Sequence, residues 1–88
     1  MKIKKHFVLQ EVADEHLVVP VAEEGTRLHG IITLNDTGAF LWKILSKHES
    51  TEDDLIKELV SEYQIDIETA KEDVKAFLET LDSFGCFE

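Results

Sequence analysis

One cysteine, one proline and no long apolar run restrict what this 88-residue chain can be. A lone Cys86 excludes an internal disulfide and any zinc site built on a cysteine cluster. No stretch of ~18 apolar residues occurs, so no membrane-spanning helix is expected. The basic amino-terminal residues precede an apolar stretch that Gln10 and Glu11 interrupt, with no small-residue cleavage site after it. A signal peptide is therefore not expected, and the reading is cytoplasmic. Phosphate-cradling glycine motifs and a GxSxG nucleophile turn are also missing.

Positive charge is the next scarcity. The formal net charge is −10. Residues 1–44 carry five Lys/Arg against six Asp/Glu, whereas residues 45–88 carry four against thirteen. Nucleic-acid affinity comes largely from Lys and Arg displacing counterions, so a nucleic-acid partner is not expected. A DNA-reading winged helix in particular would need cations on its recognition helix, and residues 51–82 hold eleven acids against three lysines.

What is present reads as one domain whose hydrophobic periodicity changes partway. Residues 7–12 and 17–21 are apolar and β-branched, separated by a polar break at Ala13-Asp14-Glu15 that suits a hairpin turn. Pro20 cannot donate to a ladder, so it belongs at an edge, a bulge or a strand end. Glu23-Glu24-Gly25-Thr26 signals a second turn. Gly30, Ile31, Ile32, Thr33 and Leu34 form the third strand, with Ile32 and Leu34 on one face and Ile31 and Thr33 on the other. Short loops between the strands predict an antiparallel meander.

From residue 35 the apolar period lengthens to between three and four. Asn35 or Asp36 can cap a first helix over residues 37–46, with Phe40, Leu41, Ile44 and Leu45 as its stripe and Trp42 beside it. Gly38 in its first turn implies a close neighbour. Ser50 and Thr51 before three acids open a second helix, whose inner face is Leu55, Ile56, Leu59, Val60 and Tyr63. Asp66 caps a third, carrying Ala70, Val74, Phe77, Leu78, Leu81 and Phe84, and Gly85 ends it in a left-handed conformation. The fold class is α+β, a three-stranded antiparallel sheet followed by three helices. The basic tail Lys2, Lys4 and Lys5 reads as a disordered end.

No reaction centre emerges. His6, His16, His29 and His48 have no ligand-like spacing, so no metal site is expected. Adjacent carboxylates such as Glu72 and Asp73 point in different directions around a helix, which leaves no convergent acid–base pair. Cys86 has no nearby cation to lower its pKa and reads as a small apolar contact. Neither catalysis nor a cofactor is expected.

The order Ile32-Thr33-Leu34-Asn35-Asp36-Thr37-Gly38-Ala39, then Thr51, Leu55, Leu59, Tyr63 and Ile65, then Asp73-Val74, Phe77-Leu78, Leu81 and Gly85, resembles the PqqD-like proteins across residues 7–87. That resemblance implies a winged helix-turn-helix-like fold and a role as a RiPP recognition element. Such domains bind the leader of a ribosomally made precursor peptide and present it to a modifying enzyme, commonly a radical-SAM enzyme. The leader adds as a strand beside the third strand and lies against the third helix.

The residues themselves agree with β-augmentation. A meander leaves its third strand at an edge with unpaired backbone groups, and the proline sits in the second strand instead. The expected peptide contacts are therefore Gly30, Ile31, Ile32, Thr33 and Leu34, facing Lys71, Val74, Lys75 and Leu78 of the third helix. Lys71 and Lys75 would meet peptide carboxylates while Val74 and Leu78 take an apolar anchor. Two other occupants fit the same open edge: a second copy of the chain, giving a homodimer, and a partner enzyme docked without any precursor peptide.

Overall fold

The computed structural model describes residues 1–4, 7–20 and 31–87. Three strands precede three helices: β1 (Phe7–Val12), β2 (Glu15–Pro20), β3 (Ile32–Leu34), α1 (Asp36–Lys47), α2 (Glu52–Tyr63) and α3 (Ile67–Ser83). The sheet is antiparallel in the order β1-β2-β3. This is the expected α+β arrangement. The turn signal at residues 23–26 lies outside the described residues.

Local chemistry accounts for each boundary. Ala13 and Asp14 both have positive φ, 50° and 69°, giving the two-residue hairpin turn whose twist suits the flanking strands. Pro20 is the last residue of β2, opposite Phe7, where a missing donor costs least. Asn35 caps α1, its Oδ1 accepting from the Gly38 amide at 2.8 Å. Thr51 and Asp54 exchange side-chain and backbone bonds of 3.1 Å as a capping box at α2. The backbone bond from Thr51 is the main reason the Asp54 carboxyl titrates below its ordinary 3.8. Asp66 stands at the N-cap of α3 but its side chain makes no cap bond; it accepts from Thr69 Oγ1 at 2.6 Å instead.

The second and third helices end in different ways. Gly85 takes φ +70° after α3, as expected, and the Cys86 amide closes back on the Leu81 carbonyl. The end of α2 uses Gln64 in the left-handed region, with no glycine to announce it.

The core gathers Val18, Ile32 and Leu34 from the sheet with Leu41, Trp42, Leu45, Leu55, Leu59, Val74, Phe77 and Leu81 from the helices. Two expectations are corrected. Tyr63 is exposed at the end of α2, its ring edge-on to Phe40 at 5.6 Å, because the buried face of α2 already ends at Leu59. Residues 1–4 are docked rather than loose. Ile3 is buried and bridges to Phe87, and the Lys4 amide donates to the Cys86 carbonyl at 2.8 Å. Lys5 lies outside the described residues.

Candidate binding groove

The strand β3 has β2 on one side and, among the described residues, no strand on the other. Its side chains alternate as the sequence predicts: Ile32 and Leu34 buried, Thr33 exposed. Ile31 is exposed and precedes the strand, which is shorter than expected, and Gly30 lies outside the described residues.

A groove of about 480 Å³ borders this end of the strand. Thr33, Leu34 and Asn35 form one wall, Thr37, Gly38 and Leu41 of α1 contribute next, and Asp73, Ala76, Phe77 and Thr80 of α3 supply the other. The explanation for Gly38 is here. A Cβ at this position would stand 3.1 Å from Asn35 Oδ1 and 3.3 Å from Leu34 Cβ. Glycine thus lets the start of α1 press against the end of β3, with the cap bond intact.

The spacing of the α3 wall defines a single helical face. Residues 73, 76, 77 and 80 fall within one side at about 100° per residue. Lys71, Lys75 and Leu78 fall on roughly the opposite side, and none of them lines the groove. Both lysines are exposed, and Leu78 packs partly buried against the core. Val74 is 0% exposed. It has no surface to offer a ligand, so its expected role as a groove wall is corrected to core. The groove borders the flank of the buried stripe opposite to the one that carries Lys71 and Lys75. Ala76, Phe77 and Thr80 could have been found by reading the other flank of that same stripe.

Electrostatically the groove is simple. Asp73 is its sole charged lining residue among those described, and it is half-buried. No hydrogen bond or ion pair engages its carboxylate among the described residues.

A smaller depression of about 250 Å³ is lined by His16, Asp36, Ala39, Phe40, Lys43 and Tyr63. His16 Nε2 and Asp36 Oδ1 are 2.8 Å apart, and Lys43 Nζ lies 3.4 Å from Glu11 Oε1. His16 Nδ1 lies 3.3 Å from Glu11 Oε2 and makes no hydrogen bond among the described residues. His16 is half-buried. Its period-two spacing from Val18 was the available signal, since that spacing puts the ring on the core-facing side of β2.

Among the described residues no cluster of three or more His, Cys, Asp or Glu could hold a metal ion, and no helix is long and apolar enough to cross a membrane. Cys86 is fully buried, and desolvation pushes its thiol up to about 11.

Two solved structures share the fold. One, "TbiB1 in Complex with the TbiA(beta) Leader Peptide", is 24% identical with a TM-score of 0.73, the match covering 100% of this chain and 95% of that one. The other, "Lasso peptide synthetase B1 complexed with the leader peptide", is 20% identical with a TM-score of 0.71, covering 97% and 93%. No curated protein sequence matches significantly. Residues 8–85 match the family described as coenzyme PQQ synthesis protein D, and the chain belongs to this PqqD family.

Proposed function

We propose that this chain is a non-catalytic, cytoplasmic binding domain that captures the leader of a ribosomally synthesised precursor peptide and presents it to a modifying enzyme. The leader adds as a fourth strand along the open side of Ile32, Thr33 and Leu34 and lies against α3 across the groove. The carrying observation is the juxtaposition itself: a strand edge unpaired among the described residues, bordering an open groove with Leu34, Leu41 and Phe77 among its lining residues. Main-chain bonds along the edge supply sequence-tolerant affinity, and the groove supplies selection. That both fold neighbours are complexes with leader peptides supports the same reading. The PqqD resemblance supports a radical-SAM enzyme as the recipient.

Relative to the sequence reading, the proposed contact set keeps Ile31, Ile32, Thr33 and Leu34 and moves on α3 to Asp73, Ala76, Phe77 and Thr80. The test is an NMR titration of the isotope-labelled chain with the leader of the precursor encoded nearest to it. Amide shifts concentrated on residues 32–34 and 73–80 are expected. Thr33→Pro should abolish binding in a protein that still folds: Ile32 and Leu34 bond Val18 and His16 of β2, so the amide on the open edge is that of Thr33, and proline cannot donate to the ladder. Retained affinity in the folded variant, or shifts confined to other surfaces, would refute strand addition.

A further inference from the structure

Resting on the leader-binding reading, we infer that the groove selects peptides carrying a lysine or arginine two positions from an apolar residue, with the cation paired to Asp73 and the apolar side chain seated at Phe77. Three observations carry this. Asp73 is the groove's one charged lining residue among those described, and the polar residues that share the lining with it, Thr33, Asn35, Thr37 and Thr80, include no cation. Its carboxylate has no partner among the described residues, although Lys71 and Lys75 are close in sequence. Those lysines project from roughly the opposite side of α3, so among the described residues no cation compensates the groove's charge.

The spacing follows from geometry. Asp73 and Phe77 are four residues apart on one helix face, about 6 Å along the axis. An extended peptide advances about 3.3 Å per residue and returns to the same face every second residue. A peptide lying along α3 therefore presents side chains i and i+2 to Phe77 and Asp73. The net charge of −10 adds a long-range field that draws a basic peptide in and holds an acidic one off.

Selection of displayed random linear peptides against the full chain tests this, run in parallel on wild type, Asp73→Asn and Asp73→Lys. Wild type should enrich Lys or Arg two positions from Leu, Ile, Phe or Tyr, and Asp73→Lys should enrich Asp or Glu at that same place. The best wild-type peptide should bind Asp73→Asn about five- to tenfold more weakly, and its own Lys→Gln form should lose a similar factor on unaltered protein. That peptide-side change needs no protein variant to fold. Identical preferences in all three proteins, or no loss with Lys→Gln, would overturn the cation pairing. If the selected peptides still shift the amides of residues 32–34, strand addition survives that failure. If they shift neither residues 32–34 nor 73–80, or nothing is enriched, both readings fall together.

Discussion

His16 and Asp36 meet at 2.8 Å, Nε2 to Oδ1, and so tie the middle strand to the first residue of α1. His16 is also the register partner of Leu34, the strand residue that lines the groove. A carboxylate only accepts, so Nε2 carries the proton. A double-mutant cycle with His16→Ala and Asp36→Ala should give a coupling of about 0.5–1.5 kcal/mol in urea unfolding. Additivity within error would show that the contact does not hold β2 to α1.

Asn35 is the side chain on which the junction between β3 and α1 depends. Asn35→Ala removes the acceptor for the Gly38 amide and should cost about 1 kcal/mol of stability, read as a lower urea midpoint at unchanged m. Asn35→Asp keeps an acceptor and should retain most of that stability.

Neighbouring positions on α3 should separate folding from binding. Val74→Thr places a hydroxyl in a site with no exposure and should cost about 1–3 kcal/mol of stability while leaving peptide affinity unchanged in the folded protein. Ala76→Trp, at an exposed groove position, should do the reverse: a near-native melting curve with peptide affinity reduced at least tenfold by occlusion. Measuring both by thermal melting and fluorescence anisotropy checks the assignment of the two faces.

The ends of the pH range should report two named groups. Asp54 titrates lower in the folded state than its ordinary 3.8, so its contribution is present above that value and is lost as pH falls through the folded pKa. Asp54→Asn should therefore flatten the acid limb of the stability profile below 3.8. Cys86 behaves oppositely. Its thiol ionises near 9.0 when unfolded and about 11 when folded, so the unfolded state gains stability first as pH rises across that interval. Cys86→Ala should remove that alkaline decline, and the wild-type thiol should react with a disulfide reagent only as fast as the carboxy-terminal turn opens.

Much of the scaffold was legible because its signals are local. Residues 7–12, the Ala13-Asp14 turn, the Asn35 and Thr51 caps and the Gly85 terminus each follow from neighbouring residue types. The groove was only half legible. Alternation along Ile32, Thr33 and Leu34 gives the buried and exposed faces of the strand, since a period of two admits only two. Helix α3 offers flanks on both sides of its buried stripe, and nothing within a single helix says which flank meets the sheet. Lys71 and Lys75 mark the flank that does not line the groove. Tyr63 was misplaced for a related reason: a helix end can leave the core before its apolar pattern stops. Docking of residues 1–4 on Cys86 and Phe87 joins positions far apart in sequence, and a short basic segment carries no local mark of such a partner.

The brevity of β3 bears on how long a guest stays. Three residues of ladder supply only a few backbone hydrogen bonds, each worth about 0.5–1.5 kcal/mol net. Such an edge gives a short residence time unless side chains in the groove extend it. A protein that hands its peptide to an enzyme must also let go after each turnover. Lengthening the edge would trade throughput for grip.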